Sequence, residues 1–171
     1  MQPQVDFLRR EFFSMSLQAA TQHVKVYAAE ATEADRQEVR DHLRDHLEQL
    51  ETQYRAPVTE VAHVENIERI CRSLSRRHAG LLHEKRFPFA TAQKTVNLYL
   101  KYLWCLGLID RPPHCPVDAI VLKAAKAKIT KAWTKIESKA QYLDAIAELK
   151  TGANGLPLAE WELHVYNASD A

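Results

Sequence analysis

Apolar residues recur along this chain at helical spacing almost from end to end, and that periodicity predicts an all-α fold, a compact multi-helix domain of about six or seven helices. A first helix is expected from about Val5 to Ala29, with Phe12, Leu17 and Val24 among its apolar positions. Thr32 and Asp35 read as a capping box with Asp in place of the usual Glu, opening a second helix to about Arg55. Its stripe, Val39, Leu43, Leu47 and Leu50, is narrow and its charged face wide, as in a solvent-facing bundle member or a partner-binding helix. Pro57 interrupts the pattern. Thr59 is then a cap for a third helix that carries Val64, Ile67, Ile70, Cys71 and Leu74 and stops near Gly80.

A fourth helix is predicted from about Thr91 to Cys105, stopped by Gly107. The proline-stiffened loop IDRPPHCPVD follows, and Asp118 is placed to cap a short helix over Ala119–Lys126. WTKIES reads as a connection, and Ser138 as the cap of a helix over Gln141–Lys150 that ends at Gly152. After the turn cluster TGANGLP, Pro157 suits the first turn of a last helix to about Tyr166. The expectation is one domain over 1–171, with 1–55 a looser helical layer on a 56–171 core.

Composition narrows the classes. No apolar run of 18 residues occurs, so no membrane association is expected. The start, MQPQVDFLRREFF, lacks the apolar core of a secretory leader. Cys71, Cys105 and Cys115 are an odd, widely spaced set, which suits idle thiols in a reducing compartment and a cytoplasmic location.

The net charge of +1 conceals strong segregation. Residues 28–68 carry 11 acidic and 4 basic side chains, whereas 69–101 carry 8 basic and 1 acidic. Within the basic centre Arg69, Arg72 and Arg76 fall at i, i+3 and i+7, on one helical face. Arg77, Lys85 and Arg86 extend the cluster, and Lys94 and Lys101 share a face of the next helix. Lys128, Lys131, Lys135 and Lys139 form a further row. DNA or RNA is the partner that most needs such an array, since each neutralised phosphate releases counterions. Phe87, Phe89, Tyr99, Tyr102 and Trp104 interleave with it, as bases to be stacked would require, or else as core. Against this stands a solvated face, or pairing with the acidic second helix, whose basic surface partner is otherwise another protein or a second copy of the chain. A homo-oligomer is therefore also open.

The segment FPFATAQKTVNLYLKYLWCLGLIDRPPHCPVDAIVL, residues 87–122, resembles a block found in uncharacterised bacterial proteins, a QKxxNLYLKYLW helix followed by PPHCPxD. It is also similar, more distantly, to part of the helix-hairpin-helix DNA glycosylase superfamily. That resemblance matches Lys94 to the family's lysine and Asp118 to its aspartate. It implies attack of the lysine amine on the sugar carbon with the aspartate assisting, after the base has been flipped from the stack. FPFATAQ carries no glycine where the family's hairpin turn does. Read from the residues alone, Lys94 is a surface helix lysine and Asp118 an N-cap.

Other chemistry is sparser. His42 and His46 stand one helical turn apart within DHLRDHLE, a spacing that can chelate Zn²⁺, yet HExxH is absent and no metal site is assigned. His114 and Cys115 read as a hydrogen-bonded imidazole and a buried thiol, and Gln93 with Asn97 as a structural polar pair. Arg77 and His83 loosely resemble the Arg…His mark of all-α HEPN-type ribonucleases, which implies His as base on the ribose 2′-OH and Arg against phosphate charge. Arg36/His42, Arg40/His46 and Arg72/His78 have the same spacing. No glycine-rich phosphate loop or dinucleotide fingerprint occurs, so no cofactor is implied. The favoured expectation is a nucleic-acid-associated helical protein with a glycosylase-like base- or strand-processing activity. A HEPN-like ribonuclease and a non-enzymatic interaction module are the alternatives.

Overall fold

Local capping chemistry delimits most of the helices. The structure, a computed structural model, describes residues 3–128 and 132–169. Among these residues seven α-helices follow in order: α1 Pro3–Thr21, α2 Glu33–Gln53, α3 Glu60–Arg77, α4 Phe89–Cys105, α5 Ala119–Ala124, α6 Lys139–Ala153 and α7 Leu158–Ser169. The described residues form no β-strand, so the chain is all-α as its periodicity predicts.

Thr32 caps α2 in a complete box. Its hydroxyl accepts from Asp35 N, while Asp35 Oδ2 accepts from Thr32 N at 2.8 Å. Thr59 caps α3, Asp118 caps α5 and Ser138 caps α6, each accepting from amides of the first turn.

The elements depart from expectation in two places. First, α1 ends at Thr21, whose hydroxyl donates back to Leu17 O at 2.9 Å, rather than continuing to Ala29. The chain beyond it is extended: Ala28 N donates to Leu81 O and His83 N to Val26 O, with Tyr27 bridged to Leu82. Val24, Val26 and Tyr27 are branched or aromatic residues suited to extended backbone, and Val26 is buried there. Second, α3 stops at Arg77 with His78 as its C-cap, and two 3₁₀ turns, Ala79–Leu81 and His83–Lys85, lead to α4. The lysine row does not lie on one helix, because the WTKIES connection interrupts it. Lys131 is outside the described residues, Trp133–Lys135 is a single 3₁₀ turn, and Lys139 opens α6.

Helix α4 is the axle of the core. Val96, Tyr99, Leu100 and Leu103 are fully buried on it, each such side chain contributing about 1.5–3 kcal/mol relative to exposure. Helices α1, α2 and α3 pack on this axle, and α5 with α6 and α7 forms a second layer. Phe13 and Leu17 of α1 and Val39, Leu43, Leu47 and Leu50 of α2 belong to the same hydrophobic cluster as α4 and α6. No helix among the described residues is long and apolar enough to cross a membrane.

Candidate nucleic-acid interface

The apolar stripe of α3 fixes where its arginines point. Val64, Ile67, Ile70 and Leu74 are buried, so Arg69, Arg72 and Arg76, on the opposite face, are left exposed. With Arg77, His42 and Ser73 they line a shallow groove of about 410 Å³ between α2 and α3. Arg69 donates to Asn66 Oδ1 at 2.9 Å. Among the described residues Arg72, Arg76 and Arg77 have no carboxylate oxygen within 4.0 Å.

The acids of α2 do not reach them because several are engaged on α2 itself: Glu33 with Arg40, Asp41 with Arg44 at 2.7 Å, and Glu48 with Arg44 at 4.0 Å. Four guanidiniums of one helix thus share a single open surface. Arg72 also lines a second groove of about 650 Å³, which holds His83, Arg86 and Lys135.

The remaining basic residues do not join this face. Arg86 is tied to Glu84 at 2.9 Å and Glu137 at 3.6 Å. Lys85 is exposed on the turn and lines neither groove. Lys101 corrects the expectation outright. It is 9% exposed and its ammonium donates to Glu162 Oε1 at 2.8 Å beneath the Tyr166 ring, so it offers no phosphate contact. The sequence could not reveal this, because Glu162 lies on another helix.

Lys94 is likewise turned inward. Its Nζ is 3.7 Å from Asp118 Oδ2 and 4.3 Å from the centre of the Trp133 ring. Burial lowers the Lys94 amine below its ordinary range, although the Asp118 carboxylate opposes the shift. Asp118 performs its capping role with the other oxygen, Oδ1, which accepts from Ile120 N and Val121 N. The resemblance's lysine and aspartate do therefore meet, in a half-buried pair.

Most of the interleaved aromatics are core. Phe87, Phe89 and Tyr99 are buried, and Tyr102 and Trp104 are half-buried, so the three buried rings have no face for a base. Gln93 and Asn97 form a structural pair inside α4. Gln93 clamps the proline loop, accepting from Val117 N and donating to Val117 O. Asn97 Oδ1 lies 3.0 Å from His63 Nε2, and Asn97 Nδ2 donates to Tyr142 OH at 3.1 Å. His114 Nδ1 lies 3.0 Å from the same hydroxyl. Cys115 is buried, and burial raises its thiol well above the ordinary range, so it is no nucleophile.

His42 and His46 are turned toward α3. Their rings are 4.9 Å apart, and no group of three or more His, Cys, Asp or Glu among the described residues is arranged to hold a metal ion. His46 Nε2 lies 2.9 Å and His42 Nε2 3.4 Å from Ser73 Oγ, and His42 Nδ1 lies 3.0 Å from His78 Nε2. Burial lowers all three imidazoles, which favours their neutral forms. Sequence reading missed Ser73 and this cluster. Its traces in the sequence were the His42/His46 pair one turn apart and the Arg72/His78 spacing. Arg77 and His83, the HEPN-like pair, line different grooves.

Comparison with known protein families, with curated proteins and with solved structures finds no match to this chain.

Proposed function

We propose that this chain associates with DNA or RNA by seating the phosphate backbone in the arginine groove between α2 and α3. The observation that carries the reading is the set Arg69, Arg72, Arg76 and Arg77 around one exposed groove, three of them without an ion pair within 4.0 Å among the described residues. A guanidinium face built for internal pairing would take up the nearby acids, yet Glu33, Asp41 and Glu48 of α2 pair within their own helix, and Glu65 and Glu68, which line a groove with Arg69 and Arg72, approach no guanidinium within 4.0 Å among the described residues. Planar guanidiniums match phosphate oxygens two at a time, and four of them give a multi-phosphate footprint. The free cysteines Cys71, Cys105 and Cys115 suit a cytoplasmic setting for this role.

The test is fluorescence anisotropy with labelled single- and double-stranded 20-mers over a salt series. Affinity is expected to fall steeply with salt, and each of Arg72→Ala and Arg76→Ala to reduce the slope of log K against log salt by about 0.7–0.9. Arg111→Ala, at a pair with Glu160 outside the groove, is expected to leave it unchanged. A flat salt response refutes the reading.

A second reading, base or strand processing by Lys94 and Asp118, is supported by their 3.7 Å approach and by the depressed amine. An amine more readily deprotonated than a solvated lysine is a better nucleophile toward a sugar aldehyde. Borohydride reduction in the presence of abasic DNA should then fix a covalent adduct that Lys94→Gln abolishes. No adduct, with strand binding intact, removes this reading.

A further inference from the structure

We propose that the same groove is a catalytic centre in which Ser73 attacks a phosphodiester with His42 as its base. The inference rests on the strand-binding reading above and deepens it.

The contrast within α3 is instructive. Ser75 spends its hydroxyl on Cys71 O at 2.6 Å, the usual fate of serine inside a helix. Ser73, two residues earlier, turns its hydroxyl instead to two imidazoles on α2, at 2.9 and 3.4 Å, and lines the arginine groove.

A base role for His42 requires one arrangement of the protons. Glu38 Oε1 faces His78 Nδ1 at 3.8 Å and favours a proton there. His78 Nε2 then accepts from His42 Nδ1–H, which leaves the lone pair of His42 Nε2 toward Ser73. The single hydroxyl proton of Ser73 goes to His42, and His46 Nε2–H donates to the Ser73 oxygen. Nucleophile, base and an orienting chain behind the base are thus present together. His78 is buried and holds the base from within, whereas Ser73, His42 and His46 are half-buried and Arg69, Arg72, Arg76 and Arg77 exposed. A purely structural hydrogen-bond cluster has no need of an arginine-lined opening at its nucleophile.

The chemistry closes without a further reactant except water. Ser73 Oγ bonds to phosphorus as the bond from phosphorus to one sugar oxygen breaks. The hydroxyl proton passes to His42 Nε2 and from there to the leaving sugar oxygen. The guanidiniums offset charge on the non-bridging oxygens. Water then attacks the phosphorus of the serine-bound strand and gives its proton to His42. Ser73 Oγ leaves and recovers that proton. One strand end becomes a hydroxyl, the other a phosphomonoester. His78 and Glu38 act as positioning residues.

The experiment uses the full chain and end-labelled single-stranded DNA and RNA 20-mers. Binding is read by anisotropy at low salt, and cleavage and SDS-stable adduct on denaturing gels after acid quench. Wild type is expected to cleave and to carry label. Ser73→Ala and His42→Asn should each slow cleavage about 100-fold or more with affinity kept within twofold. Glu38→Gln, at an exposed side chain, should lower kcat with KM unchanged. Strand binding without cleavage or adduct in wild type overturns the catalytic inference and leaves the binding reading standing. Cleavage undiminished in Ser73→Ala overturns it as well. Absence of binding at low salt overturns both.

Discussion

Acidification from pH 7 to pH 5 should strip several kcal/mol from this fold through two interior histidines. His63 and His114 are buried, with ring centres 4.9 Å apart in an edge-on contact. Their hydrogen bonds are all met by neutral rings. Asn97 Oδ1 can only accept, so His63 carries its proton on Nε2 and receives the Tyr54 hydroxyl at Nδ1, 2.6 Å away. Tyr142 accepts from Asn97 and its hydroxyl proton is directed to His114 Nδ1, which puts the proton of the neutral His114 ring on a buried Nε2 that has no partner among the described residues.

Desolvation holds both imidazoles down at about 3, reinforced for His63 by His114 and for His114 by the Lys150 ammonium. The folded value lies below the unfolded one of about 6.5. Between those values the unfolded chain binds more protons, so stability is whole above pH 6.5 and drains away as pH falls toward 3. At pH 5 the loss is about 2 kcal/mol per imidazole, hence about 4 kcal/mol for both. They add, because neither is charged in the fold at that pH. His42, His46 and His78 pull the same way, whereas burial raises the Glu162 carboxyl despite Lys101 and pulls the other way at lower pH. Typical domains hold only about 5–15 kcal/mol, so urea midpoints from tryptophan fluorescence should fall sharply between pH 7 and 5. Midpoints that stay level across that interval at fixed salt refute the neutral-imidazole account.

Two further outcomes rest on packing. A Cβ at Gly152 would sit 2.6 Å from Ala125 Cα, so Gly152→Ala should destabilise by about 1–3 kcal/mol despite alanine's better helix propensity, read as a drop in Tm. Glu162→Leu leaves the Lys101 ammonium buried without its carboxylate and should cost about 3 kcal/mol or more in urea denaturation, whereas Lys101→Met combined with it should recover most of that loss. Equal destabilisation in the single and double variants would overturn the ion-pair argument.

Local features were legible in the residues alone. The Thr32–Asp35 box and the caps Thr59, Asp118 and Ser138 are hydrogen bonds between residues two or three apart, so residue type at fixed offset suffices to place them. The row Arg69, Arg72 and Arg76 was legible for the same reason, since helical geometry alone puts it on one face. Tertiary structure decided everything that depends on a partner from elsewhere in the chain. Lys101 read as a free cation until packing set Glu162, 61 residues away, beside it. The stretch after Thr21 read as helix until Leu81 and His83 offered extended backbone a set of hydrogen bonds. His42 met His78 and Ser73 across 36 and 31 residues. No periodicity encodes such meetings, because they depend on how two helices cross rather than on how either one turns.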